Sequence, residues 1–125
     1  MNYEFNFTAV LKYWPLLLEG TWVTLKLTIV TTVMGMVVGV VCAVLRTGGP
    51  PWARRIVGAY VEVIRNTPLL IQAYFLVFGL ASAGVHLPIQ VAGSIALIVN
   101  VGAYTTEIIR AGIDAVHRSQ IEAAE

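Results

Sequence analysis

Hydrophobic residues make up 58% of this 125-residue chain and charged residues only 12%, which is about half the charged share of a soluble domain. This composition excludes an ordinary soluble domain, and the length allows one domain at most. The net charge is only +1, and no charge lies between Lys26 and Arg46 or between Arg65 and Glu107. The sequence therefore predicts an all-α protein that crosses a membrane several times.

Residue patterns that would support catalysis or metal binding are missing from the sequence. Cys42, His86 and His117 are isolated from one another, so neither a disulfide framework nor a metal site is indicated. There is no glycine-rich phosphate loop and no serine–histidine–acid set. We therefore expect no catalytic residues, no metal site and no enzyme activity in this chain.

The first span is predicted in the N-terminal third of the chain. Residues 1–19 are interpreted as an external or interfacial segment that precedes it. Leu27 to Leu45 is an uncharged run, and the addition of Thr21 to Lys26 supplies the roughly twenty residues that a membrane helix needs. Along this span lies a stripe of small residues that would let another helix approach closely, either within the chain or from a partner: Gly35, Gly39 and Ala43.

The connection after the first span is predicted to contain an amphipathic helix at the cytosolic interface. This helix would run from Trp52 to Asn66, and its apolar face would comprise Ile56, Tyr60, Val63 and Ile64. Asn66-Thr67-Pro68 then offers a cap and a first-turn proline for the next helix.

The uncharged stretch from Asn66 to Thr106 is too long for one crossing. A single helix of this length would run about 60 Å, roughly twice the hydrocarbon thickness. The chain must therefore turn back, and Ser82 to Pro88 is the turn-like segment. We predict a second span from Pro68 to about Leu80 or Ala83, and a third from Pro88 to about Thr106.

The arginine distribution predicts the orientation of these spans. Four arginines lie between spans one and two, and none lies between spans two and three. Because cytoplasmic loops carry an excess of Lys and Arg, we expect that connection and the C-terminal tail to be cytoplasmic. The N-terminus and the His86 turn are then outside. Lys12 and Lys26 on the outer side count against this orientation, but the four arginines in the cytoplasmic connection outnumber them.

A few polar residues stand out within and after the spans. Gln72 and Asn100 are amides inside predicted spans, where they either form interhelical hydrogen bonds or line a polar pathway. Glu107 and Arg110 are spaced for an ion pair at the membrane boundary. Ser119-x-x-Glu122 has the spacing of a capping box and predicts the start of a short cytosolic helix.

Three blocks of the sequence resemble the transmembrane subunit of polar amino-acid ABC importers of the histidine, glutamine, arginine and opine type. The blocks are Gly20 to Leu25 with the Gly35/Gly39 span, Tyr60 to Gln72 with its Arg-Asn-Thr-Pro-Leu-Leu sequence, and Gly102 to Ile113 running into Gln120-Ile121-Glu122-Ala123-Ala124. The resemblance implies three helices of a type I permease bundle, together with the start of a coupling helix.

The resemblance also implies roles and partners. Glu122, Ala123 and Ala124, with Gln120 and Arg118 beside them, would dock on a separate ATPase subunit that binds ATP and magnesium, so that this chain itself binds no cofactor. A second permease subunit, identical or different, would complete the pathway, and an external solute-binding protein would deliver the substrate. We expect these partners and the lipid membrane, no nucleic acid, and a location in the bacterial cytoplasmic (inner) membrane.

The family pattern continues beyond the Glu-Ala-Ala segment for about two more spans. The resemblance therefore implies that residues 20–125 are an incomplete type-1 transmembrane domain, either a natural truncation or an incompletely determined sequence. Two other functions are considered. A small ion-coupled exporter that works as a dimer would need a carboxylate inside the membrane, and an interaction protein assembled through Gly35 and Gly39 would leave Ser119 to Ala124 unexplained.

Overall fold

The computed structural model describes residues 7–116, and the predictions for Arg118 to Ala124 lie outside this range. In chain order the elements are α1 (Thr8–Lys12), α2 (Trp14–Gly48), α3 (Pro51–Arg65), α4 (Leu69–Tyr74), a π-helical turn (Phe75–Gly79), α5 (Leu80–Ser82) and α6 (Ile89–Asp114). Helices α2 and α6 are each long and apolar enough to cross a membrane, and the count rises to three if α3 and Leu69–Ser82 form one broken span. The predicted all-α membrane fold is confirmed.

The chain divides into two compact units, Met1–Val30 and Thr31–Glu125. In the first unit, α2 begins at Trp14 and is continuous through position 20, the predicted start of the transmembrane domain. The Thr21 and Thr24 hydroxyls each donate a hydrogen bond to the carbonyl one turn back. The Lys26 ammonium lies 5.1 Å from the centroid of the Trp22 ring. These local contacts give partners to polar side chains on an otherwise apolar helix.

In the second unit, the break between α3 and α4 bends the chain by 104°. The sequence predicts that Asn66-Thr67-Pro68 supplies a cap and a first-turn proline for the next helix. In the structure Asn66 is instead the C-cap of α3, and Pro68 is the N-cap residue of α4, without a side-chain capping bond. The Thr67 hydroxyl bonds back to the Val63 carbonyl at 2.8 Å. A residue that precedes proline disfavours the helical conformation, which places the break at this point.

The apolar face predicted for α3 divides into residues that pack against the rest of the chain and residues that are exposed. The helix forms, and Pro51 occupies its first turn, as its fixed φ angle favours. Ile56 and Val63, however, are each 62% exposed. The residues that α3 buries are the smaller ones on a neighbouring face, Ala53, Val57 and Val61, with Tyr60 and Ile64 packed beside them.

The run from Leu69 to Ser82 ends in a tight turn that leads into α6. Its central residues, Phe75–Gly79, are π-helical. Gly84 has φ +89°, a conformation that glycine adopts without steric cost, and the Val85 amide donates to the Leu80 carbonyl at 2.9 Å. This pattern closes a helix end and reverses the chain. Helix α6 then begins after Pro88 and continues unbroken through the charged residues to Asp114.

Candidate functional site

Small residues on α2 lie directly against α6. Gly35 and Gly39 are buried, and Ala43 has no exposed surface. A Cβ atom built on Gly35 would lie 2.6 Å from the Val101 Cβ, and one on Gly39 would collide with Thr105. The absence of side chains at these two positions therefore allows the close approach of the two helices.

Helix α6 also has a glycine at its contact with α2. Gly102 of α6 leaves room for Val38 and for the Tyr60 hydroxyl, either of which would lie within 3 Å of a Cβ at this position. The Tyr60 hydroxyl donates to the Val99 carbonyl at 2.6 Å and so ties α3 to α6. Thr106 is fully buried, and its hydroxyl lies 2.7 Å from the Gly102 carbonyl oxygen and 3.3 Å from that of Gly39.

Directly after Thr106, charged side chains connect α2 to the end of α6. Arg46 Nη1 donates to Glu107 Oε2 at 2.6 Å. The other carboxylate oxygen of Glu107 accepts from Nε of Arg110 at 3.1 Å and also from its Nη2. Arg110 in turn donates to Asp114. We call Arg46, Glu107, Arg110 and Asp114 the ion-pair chain. The sequence-predicted pair of Glu107 and Arg110 is confirmed as part of it.

A polar cavity of about 370 Å³ adjoins the ion-pair chain. The Arg65 guanidinium carbon lies 5.4 Å from the centroid of the Tyr104 ring, within the range of a cation–π contact. Two arginines and two glutamates among the lining residues balance in charge. The cavity is lined by Arg46, Gly58, Val61, Glu62, Arg65, Asn66, Tyr104 and Glu107.

The two predicted pathway amides have different surroundings. Gln72 Nε2 donates to the carbonyls of Ile64 at 2.9 Å and Thr67 at 2.8 Å, and so bridges the break between α3 and α4. Its buried Oε1 has no hydrogen-bond partner within residues 7–116. Asn100 is half-buried on α6 and does not line the polar cavity.

Sequence reasoning missed the partners that the fold brings together. Arg46 and Glu107 are 61 positions apart, and Tyr60 and Val99 are 39 apart, so no local spacing connects them. One signal was available. Arg46 lies near the end of the apolar helix α2, and Glu107 is the first charged residue after the uncharged run of α6.

The helices and their polar ends define a multi-span membrane protein held together by small-residue packing. Residues 35–125 match the family described as binding-protein-dependent transport system inner membrane component. A Rickettsia conorii protein named as the glutamine transport system permease GlnP is 37% identical over an alignment of 123 positions, which covers 95% of this chain and 56% of that protein. The arginine transport system permease ArtQ of Bacillus subtilis is 36% identical over 95% of this chain and 55% of its own length.

A crystal structure of an amino acid ABC transporter with histidines has 39% sequence identity to this chain and superposes with a TM-score of 0.91, covering 98% of this chain and 57% of that one. The chain belongs to the family of binding-protein-dependent transport system inner membrane components. The resemblance to polar amino-acid ABC permeases is thereby confirmed, and the apolar helices agree with a bacterial inner membrane protein. The chain spans about half the length of the relatives that it matches.

Proposed function

We propose that this chain is part of the permease subunit of an ATP-binding-cassette importer for polar amino acids. The observation that carries the proposal is the similarity, over nearly the whole chain, to permeases named for glutamine and arginine transport and to an amino acid ABC transporter structure. The subunit alternates between outward-open and inward-open states. A separate ATPase subunit supplies the energy, and a second permease subunit and an external binding protein complete the importer.

The proposed contact with the ATPase lies in the segment after α6. Arg118, Gln120, Glu122, Ala123 and Ala124 match the Glu-Ala-Ala pattern, in which the alanines permit close approach and the carboxylate faces a basic group. This docking requires the C-terminal tail to be cytoplasmic. ATP and magnesium are bound by the partner. Gln72 and Asn100 are proposed pathway residues, although Gln72 also bridges the α3–α4 break.

Copurification tests the docking. A tagged permease that contains this chain, expressed with its genomic neighbours, should retain an ATPase subunit through detergent extraction. The change E122R/A123R should release the ATPase, because two bulky cations would occupy the contact. E19R, a charge reversal of an exposed glutamate in the first unit, serves as the matched control and should retain it. ATPase retention by both variants would contradict the coupling assignment.

Uptake tests the substrate class. Proteoliposomes that contain the complete importer should accumulate radiolabelled glutamine, arginine or cystine when supplied with ATP and the binding protein. These are the amino acids for which the relatives are named. Accumulation of none of them, with ATP hydrolysis intact, would contradict the proposed class.

A further inference from the structure

We propose that Glu107 is a positioning residue, which joins the last turns of α2 to the last turns of α6 and thereby sets the direction of the segment that follows. This inference rests on the proposed function, in which that segment docks on the ATPase. It adds a defined side chain within the permease that holds the docking segment in place.

The carboxylate of Glu107 is engaged on both oxygens by two helices. Oε2 accepts from Arg46 of α2 at 2.6 Å, and Oε1 accepts from two nitrogens of Arg110 on α6. Hydrogen bonds between charged groups are about twice as strong as those between neutral groups, so each carboxylate oxygen is held firmly to its own helix. Glu107 therefore cannot turn toward one helix without leaving the other.

The contacts continue to the last residue of α6. Arg110 also donates to Asp114, where the helix ends. Charges therefore alternate from Arg46 to Asp114, and the final turn of α6 is tied to α2 through Glu107. The side chain of Glu107 is 20% exposed and that of Arg46 is 25% exposed. Partly shielded charges of this kind interact more strongly than pairs in open solvent.

Within the ion-pair chain, Glu107 is the residue that connects the arginine of α2 to the arginine of α6. Arg46 and Arg110 both depend on it, and Arg65 stacks on Tyr104 one turn before it. The isosteric change to glutamine keeps the size of the side chain but removes its charge. Arg46 then loses its counter-charge, while Arg110 keeps only Asp114. The end of α6 is thereby released from α2.

Distance measurement by electron paramagnetic resonance tests this role directly. Spin labels are placed at the exposed positions Val44 and Val116, with Cys42 replaced by alanine, in the permease reconstituted in lipid. We expect one narrow distance distribution in the parent protein and its loss in E107Q and R46Q. R55Q, which changes an exposed arginine of α3, is the matched control and should keep the narrow distribution.

A double variant distinguishes loss of the Arg46–Glu107 ion pair from a general loss of stability. R46Q/E107Q should broaden the distribution no further than E107Q alone, because both changes remove the same interaction. Additive broadening would overturn the assignment, and so would a distribution in E107Q that matches that of R55Q.

The functional test measures how strongly the loaded binding protein stimulates ATP hydrolysis by the complex. E107Q should retain the ATPase on copurification, while stimulation of ATP hydrolysis by the loaded binding protein is lost. Stimulation equal to that of R55Q would overturn the positioning role. Failure of the parent protein to retain any ATPase would instead contradict the proposed function, and the distance distributions would still decide whether Glu107 holds the end of α6.

Discussion

At the scale of single residues, glycine is found on α2 where one methyl group would force two helices apart. A Cβ at Gly39 would collide with the Thr105 side chain and lie 3.1 Å from the Gly102 carbonyl oxygen. Gly20, on the same helix, has nothing within 4 Å of such an atom. The two glycines therefore separate the packing effect of a methyl group from its effect on helix propensity.

We predict that G39A lowers the melting temperature and that G20A leaves it unchanged or raises it. Alanine is favoured over glycine in a helix by about 1 kcal/mol, whereas overpacking a tight contact costs about 1–3 kcal/mol. The measurement is thermal unfolding in detergent, followed by circular dichroism. Equal melting temperatures for the two variants would show that the α2–α6 contact tolerates the methyl group.

The residue-level features that the sequence could predict are those with a local period. The Gly35/Gly39 spacing and the Glu107/Arg110 spacing each follow from the 3.6-residue turn of a helix. The bond from Arg46 to Glu107 depends instead on how α2 and α6 pack. The relative positions of these two helices depend on glycine contacts between them, which the period of one helix alone does not reveal.

At the scale of elements, α3 is held to α6 by a hydrogen bond as well as by packing. The Tyr60 hydroxyl donates to the Val99 carbonyl at 2.6 Å. We predict that Y60F lowers the free energy of unfolding by about 1 kcal/mol, the net contribution of a typical hydrogen bond. We also expect amide hydrogen exchange in α3 to become faster. Y104F, which removes the hydroxyl of an exposed tyrosine on α6, is the control. Equal exchange rates in the two variants would contradict the role of the Tyr60 bond.

The exposure of part of the predicted apolar face of α3 has a physical cause. The prediction placed this face at the membrane interface, where it would meet lipid. In a membrane, lipid is as apolar as a protein core, so large side chains gain little from burial and small ones pack between helices. Ile56 and Val63 are accordingly exposed, while Ala53 and Val61 are buried. Periodicity therefore revealed the helix without identifying its packed face.

At the scale of the whole molecule, the described residues expose much apolar surface. Large side chains along α2 and α6 are more than half exposed, among them Ile29, Val33, Val44 and Ile108. A surface of this extent requires lipid or partner helices to cover it. Two of the three predicted spans are helices long enough to cross a membrane by themselves, as apolar run lengths matched to bilayer thickness predict. The second predicted span, Leu69–Ser82, reaches this length only together with α3. The bend at the α3–α4 break was not predictable, since it depends on tertiary contacts such as that of Gln72.

The orientation of the chain in the membrane is the remaining whole-molecule prediction. Four arginines between the first two spans favour a cytoplasmic location for that connection, so Gly48 should face the cytoplasm and Val85 the outside. In a background with Cys42 replaced by alanine, we expect a membrane-impermeant maleimide to label V85C in intact spheroplasts. G48C, whose side chain meets no neighbour within 4 Å, should be labelled only after permeabilisation. The reverse pattern would place residues 118–124 outside, where no ATPase could reach them.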